Sequence, residues 1–153
     1  MTTVLITGAN GFIARALAAA LTRGGVRVIG VSRPGTPLPG FDRVFRAGLG
    51  ESMKPVFAEP RVDAIVHCAN DSRRDSYAVN VEGTRRWIAE AHENGVKTQL
   101  LMSSLSARED ALSDYGRAKW ALEQTMREVG GTSFRLGLVV GNGGMFQRMT
   151  RAL

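Results

Sequence analysis

Residues 3–14 read TVLITGANGFIA, and this stretch decides the fold. Thr3 to Thr7 is a short run of β-branched and apolar residues without polar alternation, the pattern of a parallel strand buried on both faces. Gly8 permits a tight turn, and Gly11 lets the backbone approach a ligand closely. Ala14 is small enough for a helix to pack near the strand. Phe12 to Arg23 is rich in alanine and leucine and halts at Gly24-Gly25, as a helix does. A helix starting at such a turn aims its free N–H groups and positive dipole end at whatever lies beyond the strand tip, which favours an anion. A glycine-rich turn alone is weak evidence. Strand, turn and helix together in the opening residues predict a cradle for a dinucleotide pyrophosphate.

Outward from this unit the chain alternates strands and helices. Strands are expected at Arg27 to Val31, Phe41 to Ala47, Asp63 to Ala69, Thr98 to Ser103 and Thr132 to Val140. Helices are expected at about Tyr77 to His92 and at Asp114 to Val129, with a short one at Glu51 to Ala58 broken by Pro55. Asn94-Gly95 and Gly130-Gly131 end the two long helices and lead into β-runs, the punctuation of βαβ units. The segment Pro34 to Gly40 (PGTPLPG) can only be a loop. Right-handed crossovers then give an α/β fold, a Rossmann-type doubly wound parallel sheet of about six strands in a single domain. Ligands of such sheets sit outside the carboxyl ends of the strands, so the chemistry is sought there.

Length and composition agree. A chain of 153 residues fits one domain and can bury a core without disulfides or metals. Arg15, Arg23 and Arg27 interrupt the most apolar region, so no membrane span is expected. The N-terminus lacks the basic and apolar blocks of a secretory signal. A lone cysteine, Cys68, suits a reducing compartment, and a cytoplasmic location is expected. The net charge of +6 comes from scattered arginines rather than a basic run interleaved with aromatics. It favours an anionic cofactor or substrate over a specific nucleic acid. No second cysteine or histidine stands at ligand spacing, so no metal site is expected.

The second strand ends in Val31-Ser32-Arg33. NAD-preferring folds usually carry an acidic residue here for the ribose 2′-hydroxyl. Ser32 is uncharged, and Arg33 can pair with a 2′-phosphate. The cofactor expected is therefore NADP, with NAD as the alternative.

With these residues in hand, the chain resembles the extended and atypical short-chain dehydrogenase/reductases, the group that includes the NAD-dependent epimerases and dehydratases. The resemblance runs over nearly the whole chain. TGANGFIA looks like that family's nucleotide-binding turn, which puts Gly8, Asn10, Gly11, Phe12 and Ile13 at the cofactor. DAIVHCA resembles its fourth strand, whose end (Cys68, Ala69, Asn70) borders the cofactor. YAVNVEGT resembles the helix start in which Asn80 is structural and cofactor-proximal. Met102-Ser103-Ser104 matches the strand end with the active-site serine, and Ser104 aligns best with that role. Tyr115 to Lys119 (YGRAK) matches the YxxxK signature. RLGLVVG resembles the RPGxVxG stretch, so Arg135, Leu136, Gly137 and Leu138 would lie along the nicotinamide half. Gly48-Leu49 stands where an acidic residue often holds the adenine, which leaves Leu49 to offer apolar and backbone contact.

The chemistry this implies is hydride transfer. Tyr115 and Lys119 share a helix face. The ammonium is expected to lower the phenol pKa, so that the tyrosine acts as general acid or base. Lys119 would also donate to the cofactor ribose, as the resemblance implies, and Ser104 would bond the substrate oxygen. Substrates in scope are carbonyls, alcohols and sugar nucleotides. The alternative is a non-catalytic dinucleotide-binding module, a redox sensor or truncated remnant. Ser103 and Ser106 are expected to be structural or cofactor-adjacent, while His67, Trp87 and Trp120 are expected to pack. Family members continue past RPGxVxG into a substrate domain. That domain is expected to be absent or truncated here, or the substrate site to be completed by another subunit, with Met145 to Leu153 starting an amphipathic helix. A homodimer through the two long helices is implied by the same resemblance. The short loop DSRRDS after Asn70 is expected to leave the cleft open.

Overall fold

The computed structural model describes residues 1–58 and 61–141. The expected helix at Met145 to Leu153 lies outside them. The sheet has six parallel strands: β1 (Thr3–Thr7), β2 (Arg27–Ser32), β3 (Arg43–Arg46), β4 (Ala64–His67), β5 (Thr98–Ser104) and β6 (Thr132–Leu136). Their spatial order is β3-β2-β1-β4-β5-β6, the order of the doubly wound dinucleotide fold. The order reverses between β1 and β4, where Thr7 pairs with His67 at the strand ends. That is the switch point at which such sheets bind ligands.

Among the described residues three helices clothe the sheet: α1 (Phe12–Arg23), α2 (Tyr77–Glu93) and α3 (Asp114–Glu128). Every residue of β1 is buried, as a central strand covered on both faces requires. Val4 and Ile6 point one way, into a cluster with Ala14 and Ala18 of α1, Val28 and Val66. Leu5 points the other way, with Ile29, Ile65 and Trp87 and Ala91 of α2. Ile88 of α2, Leu101 of β5, and Leu122 and Met126 of α3 extend this second layer. Opposite faces follow from the right-handed crossover, because the chain runs outward in opposite directions from β1 and from β4.

Two expected elements differ. The helix at Glu51 to Ala58 is a single 3-10 turn, Lys54–Phe57, with Pro55 at its start. The last strand stops at Leu136 rather than Val140. Its partner β5 ends at Ser104, opposite Leu136, so Leu138 to Val140 have no strand to pair with.

Candidate cofactor and catalytic site

Two groups of side chains meet at the carboxyl edge of the sheet. The first lines a cleft over the tips of β1, β2, β3 and β4. Its walls include Gly8, Asn10, Ser32, Arg33, Gly48, Leu49, Ala69 and Asn70, with Trp87 beneath. Gly8 has φ +67 and presses on the start of the loop after β4. Thr7 ties the two tips together: its Oγ1 accepts from the amides of Cys68 at 3.1 Å and Ala69 at 3.2 Å. Ser32 is buried, and its hydroxyl accepts from Gly35 N at 3.2 Å, which shapes the turn after β2. Arg33 is exposed and lies over Gly48, where a Cβ would stand 3.1 Å from the arginine Cγ.

Asp71 and Arg73 of the DSRRDS loop form part of the cleft wall. Asn80 is buried and holds this loop by its backbone. Its Oδ1 accepts from Asp71 N at 2.7 Å, and its Nδ2 donates to Asp71 O at 2.8 Å. Phe12 and Ile13 are half-buried at the start of α1, and a Cβ on Gly141 would fall 2.8 Å from the Phe12 ring. Cys68 is largely buried, and burial pushes its thiol up to about 12, which makes it a poor nucleophile.

The second group surrounds the tip of β5. Ser104 ends the strand, and its hydroxyl lies 2.9 Å from that of Ser106. The Ser113 hydroxyl caps α3 by accepting from Gly116 N at 3.1 Å, and this start places Tyr115 and Lys119 one turn apart over the strand tip. Lys119 Nζ lies 5.6 Å from the centroid of the Tyr115 ring and donates to Met102 O at 2.9 Å. Ser104, Tyr115 and Lys119 are thus brought together.

The expected fall in the Tyr115 pKa is not found. Burial raises it, and the Ser104 hydroxyl only partly opposes the rise. The physical reason is where the ammonium goes. Lys119 is aimed at a backbone carbonyl and is itself almost wholly buried, which lowers it to about 8.

Ser103 and Arg135 point to α3 instead of the cleft. Ser103 Oγ donates to Glu123 at 2.6 Å, and Arg135 grips the same carboxylate through Nε at 2.9 Å and Nη2 at 2.7 Å. Glu123 is buried, and its pKa stays low because Arg135 and Ser103 outweigh burial. Leu136 is half-buried, while Gly137 and Leu138 leave the strand tip exposed. Among the described residues no cluster of His, Cys, Asp and Glu could hold a metal, and no helix is long and apolar enough to cross a membrane.

His67 makes a separate prediction. Its ring is buried, with Nε2 3.0 Å from Gln99 Oε1 and Nδ1 without a partner. Burial lowers its pKa from 6.5 to about 4. Between those values the unfolded chain binds the proton and the folded one does not, so stability falls as pH drops below 6.5. The steepest slope is about 1.4 kcal/mol per pH unit. Urea midpoints from pH 7 to pH 4 should show this decline, and His67→Gln should flatten it. Asp71, held near 2 by Arg73, adds its own loss only at still lower pH.

The chain matches the profile of the NAD dependent epimerase/dehydratase family over residues 4–152. It therefore belongs to that family. Bordetella bronchiseptica WbmH, solved in complex with NAD+, is similar in fold, with TM-score 0.82 and 22% identity; the match covers 99% of this chain and 63% of that one. MoeE5, solved in complex with UDP-glucose and NAD, has TM-score 0.82 and 28% identity over 98% of this chain and 60% of its own. An N-acetyl-alpha-D-glucosaminyl-diphospho-ditrans,octacis-undecaprenol 4-epimerase of Escherichia coli O157:H7 is 32% identical in a match that covers 43% of this chain and 25% of that protein. The chain thus spans less than two thirds of the length of each of these relatives.

Proposed function

We propose that this chain binds a nicotinamide dinucleotide along the strand tips, with NADP(H) favoured over NAD(H), and supplies Ser104, Tyr115 and Lys119 to hydride-transfer chemistry on a sugar nucleotide or related carbonyl or alcohol. The observation that carries the reading is the meeting of these three side chains at the tip of β5, on the same sheet edge as the Gly8 turn. The cleft fits the cofactor in kind: Gly8 and Asn10 line it beside the start of α1, and the exposed Arg33 stands in its wall. Gly8, Asn10 and Gly11 would face the pyrophosphate, with Leu49 and Ala69 along the adenosine and Arg33 on a 2′-phosphate. When bound, the dinucleotide supplies the hydride donor or acceptor.

The chain's own residues handle the proton and the oxygen. Tyr115, whose pKa burial raises above its ordinary value, donates its phenol proton to a carbonyl oxygen as that oxygen gains charge. Ser104 donates to the same oxygen. Lys119 keeps its charge beside the ring and holds the strand tip through Met102 O. A second reading, a binding module without turnover, draws on the same lysine, whose ammonium is already engaged by that carbonyl.

Fluorescence titration with NADPH and NADH, run beside a screen of UDP-sugars and simple carbonyls, tests both. The expected result is saturable binding, tighter for NADPH, with turnover on at least one substrate class. Binding with no turnover on any substrate supports the module. Absence of binding to either cofactor removes both readings.

A further inference from the structure

We infer that Arg73 is the second arm of an arginine clamp that, with Arg33, grips the 2′-phosphate of the cofactor, and that Asp71 stands in for that phosphate until it arrives. The inference rests on the proposed dinucleotide cleft and names the residues that would set its selectivity. Neither Arg73 nor Asp71 was marked by the sequence motifs.

Three observations carry it. Arg33, Asp71 and Arg73 line the same cleft, together with Ser32 at the tip of β2. Asp71 is the one acidic residue in that lining; nearby Glu51 is occupied by Gly48 N at 2.6 Å. The carboxylate is bonded by Arg73 and also feels the charge of Arg33, with Arg73 acting more strongly.

The contact with Arg73 has the form an anion would take. Arg73 Nε donates to Asp71 Oδ2 at 2.9 Å and to Oδ1 at 3.0 Å, while Nη2 reaches Oδ2 as well. Guanidinium forks bind carboxylates and phosphates by the same paired N–H geometry.

The two partners differ in anchorage and exposure. Asp71 is anchored, since Asn80 holds its N–H and C=O and Ser76 Oγ donates to its carbonyl at 2.8 Å. Its side chain is 9% exposed, against 72% for Arg73. The arginine can therefore exchange partners while the carboxylate stays. An exposed ion pair of this kind contributes about 1 kcal/mol or less, so a doubly charged phosphate can compete for the arginine. Ser32 adds no charge against such a phosphate.

The test compares NADPH and NADH affinities of the whole chain at one ionic strength, in the wild type, Arg73→Gln and Asp71→Asn. Arg73→Gln should weaken NADPH about tenfold and leave NADH within about twofold. Asp71→Asn, which removes the competitor, should tighten NADPH by about threefold or more and leave NADH unchanged. Equal effects of Arg73→Gln on the two cofactors, or none, overturn the clamp while leaving the cleft intact. Weaker NADH binding in Asp71→Asn also overturns it, because the carboxylate would then be serving the ribose hydroxyls. If the wild type binds neither cofactor, the cleft reading falls and the clamp with it.

Discussion

Gly8→Ala should cost about 2–5 kcal/mol of folding stability, and with it the cleft. Two penalties add. At φ +67 any side chain strains the backbone by about 1–2 kcal/mol. The new methyl would also stand 2.8 Å from Ala69 Cα and 2.9 Å from Ala69 N, and both are main chain. Neither strand can retreat cheaply. Thr7 and His67 are paired in the sheet, and the Thr7 hydroxyl accepts from the amides of Cys68 and Ala69 just beyond. Pushing β4 away would break these bonds at the point where the cofactor is expected, so overpacking adds about 1–3 kcal/mol. Gly25→Ala is the control: its φ is +76, but nothing lies within 4 Å of the added carbon. It should show the backbone strain alone. Urea unfolding of both variants separates the terms, through midpoints shifted at constant slope. If the two variants lose the same stability, the close approach of β4 to the turn is not what requires glycine at position 8.

How far the sequence could be read follows from the range of each interaction. Thr3 to Ala14 declares itself because strand, turn and helix are adjacent in the chain, and the structure has them at the expected bounds. Tyr115 and Lys119 are local partners too, so their nearness follows from helical spacing. Their electrostatics do not. The pKa of Tyr115 depends on how deeply the ring sinks and on the Met102 carbonyl that captures Lys119, a partner from another element. Arg135 was expected to face the nicotinamide half, but its fork is taken by Glu123 across α3 and β6. No residue-type rule pairs those positions before the helix is docked. The apolar run Leu138 to Val140 reads as strand because composition cannot know where the neighbouring strand ends. Asp71 and Arg73 were passed over as a polar loop. The legible signal would have been that a carboxylate and a base lie within the residues that follow a switch-point strand.

Tyr115→Phe and Lys119→Met should both lower turnover steeply and part company in stability. Losing a positioned general acid costs about 10²- to 10⁴-fold in rate, so the Phe variant should bind cofactor normally and turn over at that reduced level. Tyr115 is 45% exposed, and removing its hydroxyl should change stability by about 0.5 kcal/mol or less. Lys119 is different because its charge is buried. A folded pKa of about 8 against 10.5 means that holding the proton at neutral pH costs about 3 kcal/mol relative to a neutral amine. Methionine removes that cost and gives up one hydrogen bond to Met102 O, worth about 1–3 kcal/mol. The net expectation is a chain as stable as the wild type or about 1 kcal/mol more so, although its turnover is steeply reduced.

The pH dependence distinguishes this from simple repacking. Between pH 8 and 10.5 the unfolded chain holds the Lys119 proton more tightly than the folded one, so this group makes stability rise with pH. Cys68, pushed up from 9 to about 12, works the other way above pH 9, because only the unfolded thiol then ionises. The wild type should therefore gain stability from pH 8 to 9 and level off above. Lys119→Met should lack the gain and decline above pH 9. Urea midpoints at half-unit steps from pH 7.5 to 10.5 read the difference, in which groups that do not feel Lys119 cancel, while the Cys68 thiol, which the lysine charge lowers, rises further in the variant. Parallel profiles would mean that Lys119 is not held as a buried cation, and the reason for its place beside Tyr115 would have to be sought in packing.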